Sequence, residues 1–188
     1  MNRTFAHSER AVRALALTEA LQERFVAALE KAGGVSFESV EWFRDEGQHG
    51  GGRRFGVKDT ELLGRASVNV SQVHYDDDPA RRLGSASAIS TIVHPVHPLA
   101  PSAHIHISWT EQKNGIGYWR IMADLNPSIA SAADKECFAG ALRQAAPQFY
   151  TEAVEQGDRY FYIPALNRYR GIVHFYLESF SSGDFEKD

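Results

Sequence analysis

Four strand-like runs follow one another in the middle of the chain, with short turn sequences between them. Each is rich in Val, Ile or aromatic side chains, and they are residues 62–75, 86–93, 103–110 and 116–125. Residues 76–79 (Asp-Asp-Asp-Pro) and 113–115 (Lys-Asn-Gly) are typical turn sequences. This spacing is that of a meander, and it predicts an antiparallel sheet.

Helix-like sequence lies towards both ends of the chain. Residues 8–31 carry apolar side chains every four positions, at Leu17, Leu21, Phe25 and Leu29, with Val12 and Leu15 close to the same face. Residues 134–156 form a second helical region, which Pro147 divides or kinks because proline lacks the backbone N–H.

Two further strands are expected, at residues 37–44 and 172–180. Strands in the middle with helices at both ends predict the α+β class. We expect one domain over residues 1–188, with an antiparallel sheet over residues 37–125 and a last strand at 172–180.

Charge and composition exclude several classes of protein. The net charge of −4 argues against a nucleic-acid surface, because phosphate binding needs a basic patch. No apolar run reaches the roughly 18 residues of a membrane span, and the N-terminal residues lack the apolar core of a signal peptide. Cys137 is the only cysteine, which excludes an internal disulfide, and its helical position predicts core packing. A cytoplasmic location fits these features.

Three other segments carry weaker signals. Residues 47–52 (Gly-Gln-His-Gly-Gly-Gly) predict a flexible loop, and the helix and Lys-Ser/Thr pair of a phosphate-binding loop do not follow them. His74 ends a strand beside three aspartates, so we expect it at the surface. The polar tail, residues 181–188, is expected to fray.

Four of the eight histidines lie between positions 94 and 106, together with three prolines. His104 and His106 are two residues apart in an alternating run, so on a strand their side chains leave the same face. Imidazole transfers protons near neutral pH and is also the commonest metal ligand. The residues alone leave proton transfer, metal binding and a purely structural role open.

Five short motifs, in their order along the chain, resemble those of the oxygen-dependent coproporphyrinogen III oxidases of haem biosynthesis. The first is the Gly-rich run at residues 50–53, and residues 66–74 resemble the family's A-G-V-N-x-S-x-V-H. Residues 90–104 resemble its S-x-x-I-H-P-x-N-P…P-x-x-H. Trp119 with residues 123–127 resembles W-x-G-G-G-x-D-L-T-P, and residues 160–172 resemble Y-F-x-x-x-H-R-x-E-x-R-G-I-G-G.

The resemblance implies a flat antiparallel sheet flanked by helices, and a homodimer. It also implies an oxidoreductase activity, the oxidative decarboxylation of two propionates of coproporphyrinogen III to vinyls. O2 is the co-substrate of that reaction, and no organic cofactor takes part.

The resemblance also assigns roles to individual residues. His104 is the expected proton donor, and Asp124 is expected to face the pyrrole nitrogens. The remaining expected contacts with the porphyrinogen are Ser90, His106, Ser108 and, with a propionate, Arg170. His94 and His104 stand at the positions of metal ligands ascribed to the family, so a divalent metal is a further implication.

The chain also departs from the family pattern. Ser108 replaces an Arg that pairs with a substrate carboxylate, and His106 replaces an Asn. Residues 120–122 (Arg-Ile-Met) replace three glycines, and residues 165–166 (Ala-Leu) replace a His-Arg pair. Family members also extend beyond the point that corresponds to Asp188, so we expect a short divergent or C-terminally truncated member.

Two hypotheses about function therefore stay open. One is an enzyme with the family's activity, and the other is a non-catalytic tetrapyrrole-binding or interaction protein derived from that family. A small histidine-metal oxygenase of unrelated chemistry is a third.

Overall fold

The computed structural model describes residues 2–188. In this range the helices are α1 (Glu9–Gly33), α2 (Ala132–Ala145) and α3 (Tyr150–Phe161). The strands are β1 (Glu38–Phe43), β2 (Gly50–Lys58), β3 (Leu63–His74), β4 (Leu83–Pro95), β5 (Ser102–Gln112), β6 (Gly117–Asn126), β7 (Tyr162–Ile163), β8 (Arg168–Tyr169) and β9 (Val173–Phe180). The predicted α+β class is confirmed. None of the helices in residues 2–188 has the length and apolar character needed to cross a membrane.

Seven of these strands form one antiparallel sheet in the order β1-β2-β3-β4-β5-β6-β9. Strands β1 to β6 pair with their neighbours in sequence. The predicted meander is confirmed for β3 to β6, and β2 is a strand that was not predicted. After β6 the chain forms α2 and α3 and returns along β9, which pairs with β6. Strands β7 and β8 form a small separate hairpin between α3 and β9.

All three helices contribute apolar side chains to the core on one face of the sheet, which we call the helix-covered face. The C-terminal end of α3 also reaches the other face at the edge strand β9, where Phe161 stacks on His174. Leu15 of α1 belongs to a core cluster with Val68 of β3 and Ile89 of β4. Ala153 of α3 belongs to a second cluster with Ala123 of β6 and Phe175 of β9. Because side chains alternate along a strand, the residues between these point to the other side of the sheet.

We call that other side the open face. Over β3 to β6 it carries mostly polar and titratable side chains, among them Ser67, Asn69, Ser90, His104, His106 and Asp124, and it also carries the apolar Ile92 and Met122. Within residues 2–188 no helix packs against it in this region.

α1 buries most of the expected stripe, since Leu15 is buried and Leu21, Phe25 and Leu29 pack partly buried against the same core cluster, but two positions are wrong. Val12 and Leu17, expected on or close to the buried face, are 52% and 48% exposed. The buried positions are Ala11, Ala14, Leu15, Thr18, Gln22 and Val26. Gln22 belongs there because its Nε2 donates to the backbone carbonyls of Arg53 and Val68, at 2.7 and 2.9 Å. A polar side chain that satisfies sheet carbonyls can therefore occupy the centre of a helix–sheet interface.

The run of glycines at residues 50–52 is not the flexible loop that its composition predicts. These residues begin β2 and pair with both β1 and β3. A Cβ at Gly52 would lie 2.7 Å from the ring of Trp42, so the absent side chain makes room for the indole on the neighbouring strand. Gly50 has a φ of +91°, a conformation that favours glycine.

Three further expectations about single residues and the tail are wrong. His74 is buried, with its Nε2 2.9 Å from Thr4 Oγ1, and burial lowers the pKa of this histidine. Cys137 is exposed on α2. The tail does not fray, because Phe185 packs edge-on against Trp109, with ring centroids 4.8 Å apart. In each case tertiary contacts, absent from a local pattern, decide the environment.

Candidate active site

Three adjacent strands place titratable side chains in one row on the open face. In the register, His104 of β5 lies directly opposite Asp124 of β6, and Asp124 lies opposite His174 of β9. Directly opposed residues of an antiparallel pair have neighbouring side chains on the same face. The structure therefore brings together the two residues expected to be catalytic, His104 and Asp124.

Asp124 is fully buried and accepts three side-chain hydrogen bonds. His104 Nδ1 lies 2.9 Å from Oδ1, and Arg170 Nη2 donates to the same oxygen over 2.8 Å. Asn126 donates through Nδ2 to the other carboxylate oxygen. Burial acts to raise the pKa of Asp124, but the hydrogen bonds from His104, Asn126 and Arg170 outweigh it and hold the pKa below its ordinary value. The side chain is therefore a carboxylate at neutral pH.

This carboxylate orients the ring of His104. A carboxylate only accepts hydrogen bonds, so the proton of the neutral ring stays on Nδ1 and leaves a lone pair on Nε2. Within residues 2–188 Nε2 has no hydrogen-bond partner, and the His104 side chain is 21% exposed towards the open face. A half-buried imidazole with one oriented and one free nitrogen can accept or deliver a proton.

His174 and Asp158 form a second hydrogen-bonded pair, which contacts the backbone of Arg170. His174 Nε2 lies 2.6 Å from the backbone oxygen of Arg170, and His174 Nδ1 lies 2.8 Å from Asp158 Oδ1. A carbonyl and a carboxylate both accept, so both bonds form only when the ring carries two protons. The Arg170 guanidinium also stacks over Phe161, 4.6 Å from the ring centroid. Asp158 and His174 thus fix the backbone at Arg170. Arg170 in turn binds Asp124, and Asp124 orients the ring of His104.

His106 and Ser90 also face each other on the open face, since they are directly opposed in β5 and β4. His106 Nδ1 lies 3.4 Å from Ser90 Oγ. Burial, and then the charges of His104 and Arg120, lower the pKa of His106. The lowered pKa favours the neutral ring, so His106 is suited to a hydrogen bond rather than to an ion pair.

Ser108 and Arg120 form the next cross-strand pair. Ser108 stands where the resemblance leads one to expect an Arg, and Arg120 brings a guanidinium onto the same face from the adjoining strand. Arg120 is already bound to Glu178 through both Nε and Nη2. Its positive charge is therefore partly neutralised within the chain.

The proposed metal pair does not form a binding set. His94 is exposed near the end of β4 and its Nδ1 lies 2.8 Å from Ser102 Oγ, whereas Nδ1 of His104 is committed to Asp124. Residues 2–188 contain no group of three or more His, Cys, Asp or Glu side chains placed to share a metal ion. The donors at these two positions do not fit a divalent cation.

Several residues of the site were not found from the sequence. Asn126 follows Asp124 by two positions, and this alternation places both side chains on the open face. His174 occupies the same face of β9, but its pairing with Asp158 of α3 has no local signal. Trp109 and Trp119 lie on the helix-covered face and leave the space beside His104 free.

The fold and the site together define an α+β protein whose open sheet face carries a histidine oriented by a buried carboxylate, the arrangement of a general acid–base centre. A family model described as coproporphyrinogen III oxidase matches residues 13–188. The chain therefore belongs to the coproporphyrinogen III oxidase family, and the resemblance of its motifs is confirmed at the family level.

Proposed function

We propose that this protein binds a porphyrinogen on the open face and catalyses the O2-dependent conversion of its propionates to vinyls. The observation that carries this proposal is the His104–Asp124 pair, in which Nε2 of His104 has no hydrogen-bond partner in residues 2–188 and lies beside the open face over β3 to β5. Such a surface accommodates a broad ligand, and a free imidazole nitrogen supplies or removes a proton at its edge.

The reaction has a simple balance. A propionate, –CH2–CH2–COO⁻, becomes –CH=CH2 when it releases CO2, one proton and two electrons. O2 takes up these two electrons with two protons and leaves as H2O2. One additional proton is thus consumed for each propionate, and we assign its delivery to His104. The electron-rich porphyrinogen and O2 provide the oxidising chemistry, so the protein contributes positioning and proton transfer.

The experiment is an aerobic assay with coproporphyrinogen III that follows vinyl formation, CO2 release and H2O2. His104→Gln keeps a hydrogen-bonding side chain but cannot titrate, and we expect kcat to fall by about 10²–10⁴-fold, the usual contribution of a general acid. His97→Gln is the matched control, because His97 lies in the turn after β4, where its Nδ1 accepts from the Leu99 N–H. Equal activity of the His104 variant and the wild type would contradict the proposal.

A specific observation also supports the second hypothesis, a tetrapyrrole-binding protein without turnover. Met122 lies directly opposite His106, so the open face is crowded on that side of the site. Arg120, on the same side, is bound to Glu178, so its guanidinium is not free to pair with a ligand. Tight porphyrin binding without H2O2 or CO2 release would favour this alternative. The homodimer and the cytoplasmic location stay predictions, and sedimentation of the purified protein tests the former.

A further inference from the structure

A second feature of the open face lies at its β1–β3 corner, away from the His104–Asp124 pair. A depression of about 590 Å³ opens there. Its side-chain lining includes Glu38, Arg54, Lys58, Arg65 and Ser67. Gly56 lies between Glu38 and Ser67 in the register, so the absence of a side chain on β2 opens the floor of the depression.

Three cations surround this floor. Arg54, Lys58 and Arg65 are exposed, and within residues 2–188 none of them is within 4.0 Å of a carboxylate oxygen. Their side chains also make no hydrogen bond to the described part of the chain. Lys58 and Arg65 are directly opposed across β2 and β3, so two like charges lie side by side. Like charges in this position are destabilising, which is the arrangement that an anion relieves.

The depression shares a row with the candidate active site. The row passes from Gly56 through Ser67 and Ile92 to His104, one residue per strand. At about 4.8 Å between strands, β2 and β5 are roughly 14 Å apart. Ile92 lies between the two sites and is 39% exposed, so a flat apolar ligand finds a contact there. The open face thus presents, in order, cations, an apolar side chain and a proton donor.

We propose that this corner, which we call the cationic corner (Arg54, Lys58 and Arg65), binds carboxylates of the same tetrapyrrole whose reacting propionate lies at His104. This inference rests on the proposed function and names the charge pattern that the ligand must have. A macrocycle with carboxylates on several pyrrole rings reaches both sites, whereas a ligand with its carboxylates on one side does not. The cationic corner supplies positive charge that Arg120, already bound to Glu178, supplies only in part.

The test measures binding of coproporphyrin III, the aromatic tetracarboxylate, by fluorescence at two salt concentrations. Arg54→Gln and Arg65→Gln should each weaken binding by about threefold to tenfold, as expected for partly exposed ion pairs, and the loss should shrink at high salt. Arg53→Gln is the matched control, because Arg53 is the next residue along β2 and its guanidinium lies over Phe55 on the helix-covered face. The tetra-amide of the same porphyrin should bind the wild type and the Arg54 variant equally.

The outcomes separate this inference from the proposed function. Unchanged coproporphyrin binding in Arg54→Gln and Arg65→Gln overturns the cationic corner, even if turnover depends on His104. Weaker binding in these variants, with no turnover by the wild type, supports the cationic corner and contradicts the proposed reaction. If turnover occurs, the arginine variants should raise KM and leave kcat unchanged. A fall in kcat as large as the rise in KM would overturn a role confined to binding.

Discussion

The replacement Asp124→Asn tests the central geometry most directly. The carboxylate is fully buried and accepts from His104, Arg170 and Asn126. An asparagine of the same size keeps one acceptor oxygen. Its NH2 group replaces the other oxygen and places N–H donors against the donor groups that surround this site. The change thus removes a charge and breaks charge-assisted hydrogen bonds without creating a cavity.

The expected loss of stability follows from these contacts. A hydrogen bond to a charged group contributes about 1.5–3 kcal/mol, and removing one partner of a buried pair costs about 3–5 kcal/mol. The Arg170 side chain is 48% exposed, so water compensates part of its loss. We therefore expect the free energy of unfolding to fall by about 2–4 kcal/mol, and the Tm by roughly 5–15 °C for a chain of this length.

The pH dependence gives a second measurement of the same change. The folded-state pKa of Asp124 lies below the ordinary value of 3.8, so its stabilisation is complete above that value and is lost as the pH falls through the folded-state pKa. The difference in Tm between wild type and variant should therefore be largest near neutral pH and should shrink in this acidic range.

Thermal unfolding followed by circular dichroism measures both effects, and ¹⁵N NMR of the His104 ring reports the loss of the Nδ1–H tautomer. Asp59→Asn is the control, because Asp59 is exposed and its φ of +54° suits asparagine. A Tm for Asp124→Asn within about 1 °C of the wild type at neutral pH would refute the reasoning.

Two further predictions concern other parts of the fold. Phe185→Ala should lower the free energy of unfolding by about 1–2 kcal/mol and shift tryptophan emission to longer wavelength, because Trp109 and Trp119 lose a covering ring; an unchanged spectrum would show that the tail does not cover them. His106→Gln should reduce the loss of stability as the pH falls below 6.5, because burial lowers the pKa of His106 and the unfolded chain takes up the proton more readily; identical Tm–pH curves for variant and wild type would contradict this.

Patterns of side-chain alternation predicted much of the sheet and part of the site. His104 and His106 share a face because the two-residue period of a strand is a property of the backbone. The opposition of Asp124 to His104 depends on the register of β5 and β6, which pairing between distant residues decides. The contact of His174 with Asp158 depends on how α3 lies against β9, and no local pattern contains that information.

The predictions for the buried face of α1 and for the glycines at residues 50–52 differed from the structure for a related reason, the dependence of both on tertiary contacts. A four-residue apolar repeat identified α1, but its buried stripe includes Gln22, whose environment depends on the carbonyls of Arg53 and Val68. The glycines at residues 50–52 resemble a loop in composition. A Cβ at any of them would lie 2.2–2.3 Å from a backbone oxygen of β1 or β3, so the close approach of the neighbouring strands explains why β2 begins with glycines.

The sequence by itself determined the α+β class, the N-terminal helix, six strands of the sheet and the membership of the family, because periodicity and short motifs are properties of the chain read locally. Strand β2 and the β7–β8 hairpin were not predicted from it. The tertiary structure alone decided which charges meet. It buries Asp124 among three donors and engages Arg120 with Glu178. Among residues 2–188 it leaves Nε2 of His104 without a partner and places three cations without a carboxylate partner at one corner. Electrostatic interactions depend on distance and burial in space, and the sequence does not contain these until the strands are in register.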